Sequence, residues 1–338
     1  MWGSQSWLQP AFSRPVCERA FVHTPGKASS GDFLTDPKFR SGFVSILGRP
    51  NAGKSTLLNA LVGQKVAIVA DKPQTTRTSI QGVATLPDAQ IVFIDTPGIH
   101  KADSQLNKRL MDTVRAALEE RDLLLFVVDA NQAFGEQDRR AVDIARRTDT
   151  PVLLVLNKID LVKEKARLLP LIETYRKAYD FVDYVPVSAI KGKGLDELRL
   201  AILARLPEGP QYFPEDHVTD QPERFLASEL IREKVLLATR QEVPHSVAVS
   251  IDKWEEMGRL TRIFATIRVE RDGQKAIVIG AKAAVLKQIG TLARIEMEKI
   301  FGVKIYLDLH VRVQPGWRDK AAFLNALDWR TMSGKDDL

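Results

Sequence analysis

Hydrophobic residues in this chain fall into two patterns. Between residues 43 and 187 they form short unbroken runs, and beyond residue 246 they alternate with polar positions. Phe43, Val44, Ile46 and Leu47 make the first run, which ends at Gly48, and Leu57, Leu58, Leu61 and Val62 follow at helical spacing. Further runs at 91–94, 123–128, 152–156 and 184–187 have the length and composition of strands buried on both faces, as in a parallel sheet covered by helices. A helical segment at 195–206 stops at Pro207, and the proline-rich stretch 208–222 reads as a linker.

Past the linker, Phe225, Leu226, Leu230, Ile231, Val235 and Leu237 mark an amphipathic helix. Three alternating runs predict one-faced strands: Val247, Val249, Ile251; then Ile263, Ala265, Ile267, Val269; then Ile305, Leu307, Leu309, Val311, Val313. Two helical segments, around 277–289 and 291–301, lie between the second and third strands. The order helix, strand, strand, helix, helix, strand predicts a small α+β layer. The expected organisation is therefore an extension at 1–40, an α/β domain with a mostly parallel, doubly wound sheet at 41–207, the linker, an α+β domain at 223–316, and a tail at 317–338. In that tail Trp317 is expected to pack against a core, and 321–327 to form a short closing helix.

Composition narrows the class. A length of 338 residues with 44% hydrophobic content suits two globular domains. No apolar run reaches the length that spans a bilayer. Cys17 is the single cysteine, which excludes an internal disulfide and favours a reducing compartment. The five histidines show no metal-ligand spacing. A net charge of +6 favours a polyanionic partner, nucleic acid or an anionic membrane face. The extension is rich in Ser, Pro and Gly and is expected to be disordered. Its arginines and scarce acids raise a mitochondrial matrix location as a minority expectation, against which Pro10, Pro15 and Pro25 count. A cytoplasmic, bacterial-type protein with an extended start is the main one.

The candidate chemistry stands at the ends of the apolar runs. Gly48 to Ser55, Gly-Arg-Pro-Asn-Ala-Gly-Lys-Ser, fits the phosphate-loop pattern G-x-x-x-x-G-K-[ST] between a strand and a helix. Gly48 and Gly53 let backbone N–H groups turn inward, with Asn51, Ala52 and Thr56 in the same wall. Lys54 would lie between the β- and γ-phosphates, and the Ser55 hydroxyl would ligate Mg²⁺. Asp95, ending a buried run, would hold a Mg²⁺-bound water, and Gly98 offers an unobstructed N–H to the γ-phosphate. Asn157-Lys158-Ile159-Asp160 selects the base. The Asp160 carboxylate accepts from guanine N1–H and its 2-amino group, donors that adenine lacks, which leaves an ATPase a distant third reading. Asn157 would tie this loop to the phosphate loop, Lys158 would lie across the purine, and Ser188-Ala189 would offer a backbone N–H to guanine O6.

This ordered set resembles the Era family of bacterial ribosome-assembly GTPases, from about residue 43 to 317. The resemblance implies a P-loop GTPase domain followed by a type II KH domain, and GTP hydrolysis to GDP and phosphate. By it, Gln74-Thr75-Thr76-Arg77 is the first switch segment, with Thr76 completing the Mg²⁺ shell and sensing the γ-phosphate. The expected catalytic set is Lys54, Thr76, Asp95 and Gly98, and the metal set Ser55, Thr76 and Asp95. Ile99 stands where Ras-like enzymes carry a water-orienting glutamine, so slow intrinsic turnover is expected. Related GTPases hold K⁺ with an asparagine at the position of Asn51.

Ile279, Gly280, Ala281, Lys282 and Ala283 resemble the G-x-x-G turn of a KH domain, with Ala283 replacing the second glycine. The Ala283 methyl fits, and the turn survives as a helix start, on the condition that the local φ is negative. Lys282 and Lys287 on the following helix are candidate RNA phosphate contacts, a solvated helix face being their alternative. The implied partners are the 3′ region of 16S rRNA and the maturing 30S subunit, with a monomeric state and peripheral contact with the cell membrane also expected. The second functional reading is a GTP switch directed at a protein or membrane, its C-terminal domain a degenerate KH scaffold.

Overall fold

The computed structural model describes residues 39–72, 75–98, 104–119, 121–239, 243 and 246–327. Gln74, Ile99, Cys17 and most of the N-terminal extension lie outside the described residues. The first sheet comprises β1 (Arg40–Leu47), β2 (Ile80–Leu86), β3 (Ala89–Asp95), β4 (Leu123–Asp129), β5 (Val152–Asn157) and β6 (Asp183–Pro186), in the order β2-β3-β1-β4-β5-β6. Every pairing is parallel except that of β2 with β3. All seven residues of β3 and of β4 are buried, as the unbroken apolar runs require. Helices α1 (Lys54–Val62), α2 (Gln105–Ala116), α3 (Glu136–Ala145), α4 (Leu168–Ala178) and α5 (Leu195–Leu203) accompany it.

Two helix boundaries have local causes. The Ser104 hydroxyl accepts from the Asn107 N–H and starts α2, while α1 ends at Gly63, where a φ of 81° lets the N–H bond Asn59 O at 2.9 Å. Because β1 lies between β3 and β4, the sheet's winding reverses beside it, and the loop after β1 opens at the carboxyl edge where α/β sheets bind ligands.

The second unit contains α6 (Glu223–Ala238), β7 (Ala248–Met257), β8 (Leu260–Val269), α7 (Asp272–Ile279), α8 (Ala284–Phe301) and β9 (Lys304–Val313). β8 is central, antiparallel to β7 and parallel to β9. Its inward residues Ile263, Ala265, Ile267 and Val269 share a core with Ala227, Leu230 and Ile231 of α6 and Ile289, Ala293 and Met297 of α8. At the end of α6 it is Leu236 that is buried, whereas Leu237 is 61% exposed. The helices meet at Gly280, within the 278–283 stretch that the G-x-x-G resemblance puts at the helix junction, and not near residue 290, where helical spacing alone divides them. Gly290 lies within continuous α8, and the break falls where Gly280 takes φ 69° and ψ 172°.

Residues 208–222 form a strap pinned to the first sheet. The buried Gln90 side chain accepts from Tyr212 N and Phe213 N at 2.8 and 2.9 Å, and Val83 N donates to Val218 O at 2.8 Å. The Val83 bond, with that of Thr219 Oγ1 to Gln81 O, covers the free edge of β2. A final helix, α9 (Ala321–Ala326), follows Trp317, which is fully buried among Leu106, Leu110, Ala248 and Leu324 and donates from Nε1 to Ser246 O at 3.0 Å. The indole thus joins α2 of the first domain to the start of β7.

Candidate functional site

The sequence at the end of β1 dictates a backbone only glycine can follow. A Cβ on Gly48 would stand 2.2 Å from Val127 O, and one on Gly53, at φ 90°, would stand 2.4 Å from Asn157 Nδ2. Asn51 also takes a positive φ, 61°, at the rim. The resulting turn delivers the N-terminus of α1, with Lys54, Ser55 and Thr56 in its first turn. A cleft of about 410 Å³ opens there, lined by Asn51, Gly53, Lys54, Ser55, Thr56 and, across from them, Thr75, Thr76 and Gly98.

Lys54 is buried and donates to Gly48 O at 3.2 Å and Arg49 O at 3.1 Å. Burial pushes its pKa down, opposed by the nearby Asp95 carboxylate. Asp95, fully buried, is pushed up by desolvation, with Lys54 and the hydroxyls of Ser55 and Thr76 acting against the shift. Those three polar side chains converge: Ser55 Oγ lies 2.6 Å from Asp95 Oδ2 and 2.8 Å from Thr76 Oγ1, and Thr76 Oγ1 lies 3.3 Å from Asp95 Oδ2. Asp95 Oδ1 is buried with no hydrogen-bond partner among the described residues. Two hydroxyls and a carboxylate with a spare buried oxygen form a hard, all-oxygen donor set that fits Mg²⁺ and one of its waters. Gly98 stands opposite, where an added Cβ would meet Pro50 at 3.0 Å.

The base-side loops are knotted by one side chain. Asn157 donates from Nδ2 to Ala52 O at 3.0 Å, while its Oδ1 accepts from Lys158 N at 2.8 Å and Ala189 N at 3.0 Å. Residues 52, 157–158 and 189 are thereby held as one wall. Lys158, at φ 65°, sends its Nζ to Asn51 O at 2.7 Å and to Asp129 Oδ2 at 3.0 Å, so its stem spans from the base-side loop to the phosphate loop. Asp160 is exposed and accepts from Ser188 Oγ at 2.6 Å.

Sequence reasoning missed Asp129. It ends β4 just as Asp95 ends β3, and that shared position after an apolar run was the available signal. Arg49, bonded to Asp138 Oδ2 at 3.1 Å and Gln132 Oε1 at 2.7 Å, was also missed as a brace of the phosphate loop.

In the second domain, Ile279 is half-buried at the end of α7, and Gly280, Ala281, Lys282 and Ala283 make the turn into α8. A Cβ on Gly280 would stand 2.5 Å from Val285 Cγ2. The condition of a negative φ at Ala283 is not met. Ala283 takes φ 60° and Lys282 φ 50°, both left-handed, because the chain must reverse before α8 can start. Lys282 accordingly sits in the turn and not on the helix, while Lys287 is exposed on the first turns of α8.

Comparison with known proteins matches residues 43–158 to a family described as 50S ribosome-binding GTPase and residues 242–318 to the KH domain. The chain is 51% identical over 298 residues to GTPase Era of Geobacter metallireducens, covering 88% of this chain and 100% of that protein. It is 47% identical to GTPase Era of Staphylococcus haemolyticus over 291 residues, covering 86% and 97%. Two solved structures superpose with a TM-score of 0.83 at 41% identity, covering 86% of this chain and 99% of theirs. One is an Aquifex aeolicus Era variant bound to GDP and AlF4⁻, the other Era in complex with MgGDPNP and nucleotides 1506–1542 of 16S ribosomal RNA.

Proposed function

The chain belongs to the Era family of GTPases, and on that premise we propose that it is a GTP-controlled switch on the 3′ region of 16S rRNA during 30S assembly. The observation that carries the nucleotide half is the Asn157 knot, which fixes the phosphate wall and the base wall relative to each other. Within that frame Asp160 accepts from guanine, the Ser188-Ala189 segment borders O6, and the Lys158 stem covers the ring. The RNA half rests on the RNA-bound Era, whose likeness spans both domains, whereas the large-subunit description belongs to a match that ends at residue 158.

Ser55 and Thr76 would hold Mg²⁺ and Asp95 its bound water, and the metal when bound offsets negative charge on the triphosphate. Lys54 donates to the phosphates in place of the loop carbonyls it now contacts, and the inward N–H groups of residues 51–56 complete the cradle. Thr76 and the Gly98 N–H both reach the γ-phosphate, so hydrolysis to GDP releases two segments together. Turnover is slow without a partner. Asn51, at the rim of the phosphate loop, would hold K⁺, which would offset phosphate charge, and replacing K⁺ by Na⁺ should therefore lower the rate.

On the RNA side, Ile279, Gly280 and Ala281 form the contact turn, and Lys282 and Lys287 neutralise phosphates. The protein works in the cytoplasm as a monomer, with peripheral membrane contact as a secondary feature. Among the described residues no single helix is long and apolar enough to cross a membrane. The left-handed Ala283 favours a second reading, a GTP switch on a protein or membrane with a degenerate KH scaffold.

Two measurements decide. Asp160→Asn should lower GTP affinity roughly a hundredfold or more, from two lost charge-assisted bonds, and raise affinity for xanthosine triphosphate. Unchanged GTP affinity would remove the base pocket from this loop. A single-stranded copy of the 16S 3′ end should bind better than its scramble, with affinity falling as salt rises. A flat salt response without preference selects the second reading.

A further inference from the structure

The loop that carries Thr76 is fastened to the RNA-binding domain on both sides of that threonine. Arg232 of α6 donates from Nη2 to Thr75 O, and Arg77 donates from Nη1 to Val247 O at 2.7 Å. Thr76 lies between these two anchors with its hydroxyl on Asp95 and Ser55. Earlier in the same loop, Val69 N donates to Glu233 Oε1 at 2.7 Å, and Lys65 Nζ to Glu233 Oε2 at 2.8 Å. Ile68, 1% exposed, is buried in the core of the second domain beside Leu226, Leu230 and Ile231, and not in the GTPase core.

The anchor is built for orientation. The Arg232 and Glu233 side chains are each 2% exposed, and Glu229 fixes the Arg232 guanidinium through both carboxylate oxygens. A buried, preorganised fork that delivers an N–H to a backbone carbonyl loses little freedom on making that bond. Burial and the neighbouring Arg232 cation push Arg77 down to about 9, still a cation at neutral pH, with Glu229 opposing the shift.

We propose that Arg232 is a positioning residue for Thr76: by holding the Thr75 carbonyl from α6 it sets the preference for GTP over GDP from within the RNA-binding domain. The proposal rests on the reading of Thr76 as γ-phosphate and metal sensor. Arg77 does the same for the other flank. A displacement of α6 relative to the first domain moves the threonine, so the domain that binds RNA writes directly into the metal shell of the nucleotide site. Thermodynamic reciprocity then requires that the γ-phosphate bias the placement of α6.

The test uses the full-length chain, fluorescent GDP and a non-hydrolysable fluorescent GTP analogue, both titrated at saturating Mg²⁺ and again across a Mg²⁺ series. Arg232→Ala should weaken the GTP analogue roughly tenfold while leaving GDP within about twofold, and should raise the Mg²⁺ needed for half-maximal GTP-analogue binding. Arg232→Lys should restore part of the difference. In a Thr76→Ala background, which itself erases the preference, Arg232→Ala should add nothing. Equal losses for both nucleotides, or an additive loss in the Thr76→Ala background, would overturn the proposal. If Thr76→Ala leaves the preference intact, the sensor reading beneath it fails instead. Should Arg232→Ala not fold, Arg77→Ala is read by the same criteria and decides.

Discussion

The phosphate loop and the Gly280 turn are both glycine-bearing turns that open a helix, α1 and α8, under different constraints. At residue 53 both the φ of 90° and the 2.4 Å approach to Asn157 demand glycine. At residue 283 the φ of 60° also favours glycine, yet alanine stands there, half-exposed, at a conformational cost of about 1–2 kcal/mol. A loop that encloses its ligand has neighbours on every side, so backbone and packing are prescribed together. The second turn is packed at Gly280, where a Cβ would stand 2.5 Å from Val285 Cγ2, but is half-exposed at residue 283, and there a strained residue survives.

The largest expected effect breaks the first loop. Gly53→Ala should abolish tight GTP binding, by more than about a hundredfold, because the left-handed strain adds to a contact Asn157 cannot yield without releasing Ala52 and Ala189. Fluorescent-nucleotide titration reads this, and an affinity within threefold of the parent would show that the knot is dispensable. The reverse exchange sharpens the comparison: Ala283→Gly removes the strain while adding about 0.5–1 kcal/mol of chain entropy. Its melting temperature should therefore move little, while affinity for the 3′-end oligonucleotide rises severalfold as the methyl leaves the phosphate path. Weaker RNA binding by this variant would take the turn out of the RNA contact.

The smallest effect concerns the seam between the regions. Burial would raise Glu296, but hydrogen bonds from Lys234 and Lys65 outweigh it and hold the carboxyl below its ordinary 4.5. Its folded pKa is depressed, so its contribution is fully present above the ordinary value and lost as pH falls through the depressed one. Glu296→Gln should thus destabilise the chain at pH 7 by at most about 1 kcal/mol, and the difference between parent and variant should vanish in acid. A difference that persists unchanged there would mean that the ion pairs contribute nothing to the seam.

Legibility in the sequence follows the same divide. The structure brings the phosphate loop, Asp95, the Asn157 to Asp160 loop and Ser188-Ala189 together, and these segments stand out in the sequence because each follows on a buried apolar run. Strand β2 was not, since its partly polar sequence is a strand only through pairing with β3 and cover from the strap at 218–219. Helical spacing divides the two segments near Gly290, whereas the G-x-x-G resemblance puts the junction at 278–283, where Gly280 has the positive φ. Helical spacing alone cannot say which glycine bends the chain. Left-handed Ala283 was invisible because alanine carries no signal for that conformation. Ile68 was invisible as an interdomain plug because burial in one core or another leaves the same mark on a sequence.

The central claim is that the nucleotide cleft and the RNA-binding domain act as one device. Affinity of the full-length chain for the 16S 3′-end oligonucleotide, measured once loaded with Mg²⁺ and a non-hydrolysable GTP analogue and once with GDP, tests it most directly. Binding several times tighter in the GTP-loaded form is the predicted result, and equal affinity in the two forms would contradict the account.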